Sequence, residues 1–457
     1  MATVQMPDPF AQVPSLGPER PVVWPARTRR KLANGLEVVL VESHTIPKFT
    51  GELYFRSGNA VAAATAKSPG LAEITATVVR TGTEKRSSRQ IEEDLRRIGA
   101  DVGTSAGADT TAIGFNGLAE FSGDLLKLVA ELAQQASFPA DEFERERRQM
   151  IEGLRIARTT PSFLASERMR RVLFGSHPYA IIAPTETQVK EYRLGQLVEF
   201  YRAHYTPSNA LLIAVGDFAA PQMMEQIERI FGSWKQATVP VVPDTTLPEL
   251  HGRRVHLVHL PESVQTQVVV ANYAITRKHP DWLRLALANS IYGGAFNSRL
   301  IINIREQKGY TYSPRSGVHA LRQHGYFSVN AAVRNDVVAA SLTEIFYEID
   351  RMRSLAVAED ELSDARTYMS GVFSLGLATQ DGLASQLSTV YLNELPDNEL
   401  ETYRQRVRAL SAADVLAAAR AYFDSPNAQI TIVGDRGQIG DQARLFGEVT
   451  EYSAEPE

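Results

Sequence analysis

The chain has 457 residues, of which 44% are hydrophobic and 22% charged, the composition of a globular protein long enough for two or three domains. The net charge of -5 gives no reason to expect the basic face that nucleic-acid binding favours. No apolar run approaches the roughly 18 residues of a membrane-spanning helix. The absence of cysteine excludes disulfides and thiol chemistry, and it fits either the cytosol or the periplasm.

The first 25 residues are rich in proline and lack a basic start followed by an apolar core, so they do not have the pattern of a signal peptide. We expect residues 1–25 to form an extended arm. The stretch "KLANGLEVVLVES" follows, and its Asn-Gly pair between two apolar runs predicts a β-hairpin.

A helix is predicted next, in "SPGLAEITATVVRTGTEKRS". Ser68 is placed to cap it, Pro69 stands at the first helical position, and small and apolar residues come after. The predicted helix stops at the Thr-Gly-Thr sequence.

An internal repeat predicts the architecture. "TPSNALLIAVGDF" is echoed by "DSPNAQITIVGDR", with Asn209 matching Asn427, an offset of 427 − 209 = 218 residues. Each copy follows an amphipathic helix that ends in an aromatic residue, and each predicts a turn, a strand and a Gly-Asp stop. A repeat of this length indicates a duplicated domain rather than a solenoid unit.

The duplication divides the chain into an N-terminal domain, residues 26–235, and a C-terminal domain, residues 253–457. Between them "KQATVPVVPDTTLPELHG" is rich in proline and lacks a helical period, so we interpret residues 236–252 as a linker. Strands and long helices, such as "FSGDLLKLVAELAQQA" and "DVVAASLTEIFYEIDRMRSLA", do not alternate strictly. We therefore predict an α+β fold with two largely antiparallel sheets, each packed with helices.

The motifs along the chain resemble those of the M16 metallopeptidase family in its shorter two-domain form. "LANGLEVVLVES" resembles the opening hairpin, "GTEKRS" the segment after the zinc helix, and "HPYA" the HPYG turn. "YTPSNALLIAVGD" is similar to YxPxNxxLxxVGD, and "NSRLIINIREQKGYTYS" to SRLxxxxREKxGLxYS. The resemblance spans nearly the whole chain and implies two homologous domains of the LuxS/MPP-like metallohydrolase type.

In active members the zinc helix reads GLAHxxEH, in which two histidines hold zinc and a glutamate is the general base. On "GLAEITATVV" the first histidine falls on Glu73, the base on Ala76 and the second histidine on Thr77. The later zinc-binding glutamate falls on Gly153, beside a surviving Glu152. The resemblance therefore implies a degenerate motif and no metal in this chain. Glu73 also fits a solvated or capping carboxylate early in a helix.

The other histidines do not suggest a replacement site. His256 and His259 are three apart in a predicted strand and so face opposite sides. His251 lies in the linker, and His177 precedes a proline in a turn. No G-x-S-x-G elbow of a serine hydrolase is present.

The second half keeps "NIREQKGYTYS". Without the resemblance, Arg305 complements the dipole of a helix ending near Gly309, and Tyr312 packs early in the next strand. In the family, an Arg and a Tyr seven apart reach from this half to a zinc held by an N-terminal half. A guanidinium and a phenol are donors for a peptide carbonyl and for the oxyanion formed from it. The nearby "YGGAFNSRL" is similar to the family's glycine-containing helix entry, for which we expect a structural role.

The resemblance implies a zinc-free subunit of a heterodimeric zinc peptidase, inactive alone and paired with an HxxEH subunit that carries the zinc. Arg305 and Tyr312 would act on a peptide that binds extended at a sheet edge. One alternative is an M16-like scaffold or binding subunit with no catalytic role, and another is a hydrolase of different mechanism, for which we find no constellation. A homodimer of the isolated chain stays open.

Overall fold

The computed structural model describes residues 24–240, here the first half, and residues 245–455, here the second half. All but the last two residues of the predicted arm lie outside the described residues, and so do residues 241–244 of the predicted linker. Across the described residues, no helix is long and apolar enough to cross a membrane. The domain boundaries at residues 26–235 and 253–457 stay predictions.

The first half is built on a six-stranded sheet in the order β1-β2-β6-β3-β5-β4, in which only β2 and β6 pair in parallel. Its strands are β1 Arg27–Lys31, β2 Glu37–Glu42, β3 Lys48–Phe55, β4 Asp101–Ala106, β5 Thr111–Leu118 and β6 Ala210–Gly216. Its helices are α1 Asn59–Thr65, α2 Leu71–Val79, α3 Ser88–Ile98, α4 Ser122–Gln134, α5 Ala140–Arg158, α6 Pro161–Phe174, α7 Glu186–Glu191, α8 Leu194–His204 and α9 Ala220–Phe231. Short 3₁₀ turns occupy Ala119–Phe121, Pro178–Ala180 and Pro207–Asn209.

The second half is built on a sheet in the order β12-β7-β11-β8-β10-β9. Its strands are β7 Arg254–His259, β8 Gln265–Ala274, β9 Arg315–Ala320, β10 Gly325–Arg334, β11 Gln429–Gly434 and β12 Glu448–Ser453. Its helices are α10 Trp282–Asn289, α11 Val338–Ser354, α12 Glu359–Gly376, α13 Gln380–Leu392, α14 Glu399–Ala409, α15 Ala412–Tyr422 and α16 Arg436–Arg444. Two segments are π-helical, Ser290–Gly294 and Ile301–Gln307, and 3₁₀ turns occupy Asn335–Val337 and Ser425–Asn427.

The two sheets confirm the predicted α+β fold with mostly antiparallel strands. The repeated segments become β6 and β11, which occupy the same place in the two sheets. Each is preceded by the predicted amphipathic helix, α8 or α15. The Asn-Gly hairpin is β1 and β2, and Gly35 has the positive φ of 91° that its turn requires.

Each sheet buries one face under its own helices and the other under a helix from the other half. Helix α6 packs on β8 and β11, where Met169, Leu173 and Phe174 join Val269 and Ala271 in one apolar cluster. Helix α13 packs in the same way on β3 and β6 of the first half. The two halves therefore share cores, because neither sheet is covered on both faces by its own half.

The start of α2 differs from the prediction. The helix begins at Leu71, and Gly70 precedes it with a φ of 79°. Ser68 does not cap it, because its hydroxyl donates to the Ala66 carbonyl at 3.1 Å. The Tyr192 hydroxyl donates to the carbonyl of Pro69, the residue expected at the first helical position, which lies before the observed helix.

Candidate functional site

Helix α2 carries three of the four positions at which the sequence predicts a degenerate zinc motif. Glu73 and Thr77 are exposed and stand one turn apart, whereas Ala76 is only 1% exposed. The Thr77 hydroxyl donates to the Glu73 carbonyl at 3.1 Å, so it is engaged within its own helix. The exposed side of α2 thus offers one carboxylate and no imidazole.

Gly153, the fourth position, lies on the exposed face of α5, which packs against α2. A Cβ added there would meet no atom within 4 Å. The neighbouring Glu152 does not replace the missing carboxylate, because it pairs with Arg155 at 2.6 Å. Arg155 pairs in turn with Glu186 at 3.0 Å.

Glu73 lies in a concave part of the surface, although its side chain reaches solvent. Loss of hydration raises the pKa of its carboxyl above the ordinary value. Its charge also contributes to a raised pKa of the Tyr192 phenol, whose main cause is burial. The shift has the sign that burial of a carboxyl produces, whereas a neighbouring positive charge would lower the pKa.

The described residues do not fit a zinc site. No three His, Cys, Asp or Glu side chains in the described ranges are arranged to hold a metal ion. The histidines named from the sequence have structural contacts instead. His177 accepts from the Tyr179 amide at 3.0 Å, His256 lies 3.1 Å from Gln429, His259 accepts from the Arg436 amide at 3.2 Å, and His251 pairs with Glu249 at 3.2 Å.

Arg305 and Tyr312 come together in the second half. The Arg305 guanidinium lies 4.7 Å from the centre of the Tyr312 ring and 5.1 Å from that of Phe296. Tyr312 is 80% and Phe296 70% exposed, so two open aromatic rings flank one cation. Such contacts hold a guanidinium in place without using its N–H donors.

The local backbone explains this geometry. Arg305 lies in the π-helical segment, which ends at Gln307, and Gly309 has a φ of 65° just beyond it. The turn at Gly309 brings Tyr312 back over Arg305. Tyr312 lies in the loop before β9 rather than early in a strand, because β9 begins only at Arg315.

The Arg305 donors remain largely open to an external acceptor. Within the described part of the chain, its guanidinium pairs only with Glu306, at 3.2 Å. Its side chain is 24% exposed, enough for contact with a bound molecule. Arg305 and Tyr312 together can donate to a carbonyl oxygen or to an oxyanion.

The edge strand β4 lies beside the degenerate motif. Among the described strands it pairs only with β5, so its outer edge is unpaired, and β4 residues line two grooves there. One groove, of about 590 Å³, includes Thr77 and Arg145, and the other, of about 470 Å³, includes Glu52 and Asp381. Burial and the charge of Asp381 raise the pKa of Glu52.

Sequence reasoning missed Phe296 and the acidic groove beside β4. Phe296 stands inside the quoted "YGGAFNSRL", where an aromatic residue after two glycines in a polar loop was an available signal. Glu52 and Asp381 are 329 residues apart, and no local pattern in the sequence joins them.

Comparisons with known proteins agree with these features. Residues 37–180 match the family model described as insulinase (peptidase family M16), and residues 193–369 match that described as peptidase M16 inactive domain. A Bacillus subtilis protein named "Uncharacterized zinc protease YmxG" is 21% identical over 84% of this chain and 91% of its own length. A Helicobacter pylori protein named "Non-peptidase homolog YmxG" is 21% identical over 87% of this chain and 92% of its own length.

Solved structures share the whole arrangement. A peptidase M16 inactive domain from Pseudomonas fluorescens has a TM-score of 0.83 and 25% identity, covering 90% of this chain and 98% of that one. A protease from Helicobacter pylori has a TM-score of 0.84 and 20% identity, covering 90% and 100%. The latter likeness concerns the fold alone.

Proposed function

The chain belongs to the M16 peptidase family, and from this premise we propose that it is the zinc-free subunit of a heterodimeric zinc peptidase. The partner is an HxxEH subunit of the same family, which carries the zinc. This chain closes the chamber over the partner's site and contributes Arg305 and Tyr312 to peptide binding and to stabilisation of the transition state.

One observation carries the proposal. The chain has lost all four zinc-motif functions, yet it holds Arg305 and Tyr312 together with the guanidinium donors open. A subunit with no contact to substrate gains little from exposing an arginine between two open aromatic rings. The pair is useful where a second chain brings the reactive centre.

The free edge of β4 supports an extended peptide as the substrate. A strand added there satisfies the unpaired backbone groups, and its side chains alternate between the two grooves. Backbone pairing is tolerant of sequence, so the grooves determine any preference.

The test is hydrolysis of a fluorogenic peptide library with zinc present, by the chain alone and by the chain mixed with an HxxEH M16 subunit. We expect activity only in the mixture, and Arg305→Ala to lower kcat/KM by about 100- to 1,000-fold, the usual cost of losing an oxyanion donor. Tyr312→Phe should lower it less, because the ring contact with Arg305 survives.

A matched control is Arg444→Ala, since Arg444 is 62% exposed and pairs with Asp441 on the distant helix α16. Its activity in the mixture should equal that of the wild type. Activity of the chain alone that survives a chelator would overturn the proposal.

A second candidate is a scaffold or binding subunit with no role in catalysis, which the printed name of the Helicobacter pylori relative favours. The same assay separates the two. A scaffold predicts that Arg305→Ala changes assembly at most, whereas the subunit proposal predicts lost turnover in a complex that still forms on size-exclusion chromatography.

A further inference from the structure

A cavity of about 260 Å³ lies in the second half, between the first π-helical segment and the first two turns of α12. Two glycines shape it. A Cβ on Gly293 would come within 2.6 Å of Leu300, and one on Gly294 within 2.6 Å of Asn289. The glycines of "YGGAFNSRL" thus allow the helix break that opens this cavity.

Two buried hydroxyls line the cavity without a partner. Ser290 is 7% and Ser298 is 2% exposed, and within the described residues neither Oγ makes a hydrogen bond. A buried hydroxyl left unpaired costs about 1–3 kcal/mol. Both hydroxyls are therefore available to a polar group that enters the cavity.

The opposite wall is acidic. Asp360, Glu361 and Asp364 line it from α12, and Glu361 is neutralised by two bonds to Arg299, at 2.8 and 2.7 Å. Among the described residues, no Lys or Arg pairs with Asp360 or Asp364. The positive end of the helix dipole accounts for acids in the first turn, but Asp364 lies one turn further along.

The remaining lining consists of Asn297 and four apolar residues. Ile291 and Ala295 are buried in the floor, and Ile302 and Ala365 add methyl groups beside them. A partly apolar pocket that has two exposed carboxylates in its lining, neither paired with a Lys or Arg of the described residues, suits a long aliphatic chain that ends in a cation. We propose that this cavity receives a lysine side chain, with its stem on the isoleucines and its ammonium on Asp360 and Asp364.

A groove of the first half contains acidic side chains that are neutralised by an arginine of the same half. The groove between the end of α2 and the early turns of α5 contains Arg80, Arg96 and Arg145. Arg145 pairs with Glu142 at 2.5 Å and with Glu146 at 2.8 Å. In the second half Arg299 neutralises only Glu361, which leaves Asp360 and Asp364 open to a cation from another molecule.

The cavity adjoins the Arg305 cluster. Ile302 lies one turn before Arg305, and Phe296 stands between the lining residues Ala295 and Asn297. A peptide held by Arg305 therefore passes the mouth of the cavity. The idea that a peptide supplies the lysine rests on the proposed function. The cavity and its negative charge do not depend on that function.

The first experiment detects the lysine directly. The whole chain is labelled with ¹³C-methyl isoleucine and titrated with N-acetyl-lysine methylamide to about 20 mM, which reveals a millimolar Kd. Ile291→Val and Ile302→Val assign the two signals. We expect saturable shifts at Ile291 and Ile302, and at least tenfold weaker binding after Asp364→Asn or Asp360→Asn, as for a lost charge-assisted hydrogen bond.

Two matched comparisons sharpen the test. N-acetyl-norleucine methylamide has the same stem without the charge and should not shift these signals. Asp441→Asn removes a fully exposed carboxylate elsewhere and should leave the affinity unchanged. Equal shifts with norleucine, or none with lysine, would overturn the proposal.

A second arm identifies the source of the lysine. Peptides that differ only in Lys or norleucine are compared by anisotropy on the chain, and heterodimer affinity is measured for Asp364→Asn. A peptide source predicts lost lysine preference with unchanged assembly, and weakened assembly alone would assign the lysine to the partner. Loss of turnover in Arg305→Ala tests the proposed function separately, so either idea can fail alone.

Discussion

The two halves of the molecule share the order of five strands, β2-β6-β3-β5-β4 and β7-β11-β8-β10-β9, but differ in the helices that follow β3 in the first half and β8 in the second. In the first half α2 and α3 are regular α-helices. In the second, α10 runs into a π-helical turn, and Arg305 lies on another π-helical segment. Irregular helix is less stable and is often kept where a side chain must be aimed. The irregular half is the one that keeps the candidate catalytic pair.

The four predicted zinc-motif positions of the first half differ in how deeply they are buried. Glu73, Thr77 and Gly153 are exposed, so a change of residue there disturbs no core contact. Only Ala76 is buried, and its methyl group needs no partner. The comparison teaches that the predicted zinc-motif positions on α2 and α5 can change residue while the fold around them remains.

The largest expected effect comes from placing zinc ligands at three of the four predicted motif positions of the first half. Glu73→His, Thr77→His and Gly153→Glu place three ligands on exposed positions of two packed helices, with open space at residue 153. We expect the triple variant to bind one zinc per chain and the wild type to bind none at this place. Metal content after dialysis, by mass spectrometry, measures this.

Two controls test whether α2 and α5 still hold three zinc ligands in a binding geometry. The double variant without Gly153→Glu has only two ligands and should lose zinc on dialysis. Adding Ala76→Glu to the triple variant buries a carboxylate at a position 1% exposed, so it should lower the free energy of unfolding. A triple variant that folds but binds no zinc would show that α2 and α5 have moved apart.

The shared cores give the next largest effect. Phe174 of α6 is fully buried against the second sheet, with Tyr326 and Tyr273 rings at 6.0 and 6.4 Å. Leu387 of α13 is equally buried against the first sheet. Phe174→Ala should cost about 3–5 kcal/mol and Leu387→Ala about 2–5 kcal/mol.

Because each sheet depends on a helix from the other half, both variants should unfold in a single transition in urea, followed by circular dichroism and tryptophan fluorescence. The control Ile156→Ala, at a side chain 70% exposed, should change the unfolding free energy little. Two separate transitions would show that the halves fold independently.

The sequence was informative wherever a signal was local or repeated. The Asn-Gly hairpin, the duplicated strands β6 and β11, and the long helices α4 and α11 follow from turn chemistry and periodicity. The predicted start of α2 was wrong, because the hydroxyl of Tyr192, more than 100 residues away, donates to the Pro69 carbonyl. A cap signal in sequence does not register such a long-range contact.

The candidate site could be predicted only in part from the sequence. The motif placed Arg305 and Tyr312 seven residues apart, but their ring contact depends on the turn at Gly309, which also moved Tyr312 out of β9. The exchange of α6 and α13 between sheets was not predicted. It depends on which apolar faces meet in three dimensions, and the sequence pattern identifies the faces without their partners.

The smallest effect contrasts the ends of α8 and α15. His204 ends α8 and is 2% exposed, and burial lowers its pKa to about 4. The residue that ends α15 is the neutral Tyr422, whose hydroxyl donates to Asp281 at 2.8 Å. The unfolded chain, with an ordinary pKa near 6.5, binds the proton more readily. Stability is therefore present above pH 6.5 and is lost as pH falls towards 4.

Between pH 8 and pH 5 this residue should account for roughly 2 kcal/mol of lost stability. His204→Phe keeps a ring beside Phe200, which lies 4.4 Å away, and removes the proton, so the urea midpoint of the variant should fall less with pH. His251→Phe, at an exposed histidine, is the control and should keep the wild-type slope. Equal slopes for all three proteins would mean that the pKa of His204 is the same in the folded and unfolded chain, and the acid sensitivity would then have to arise elsewhere.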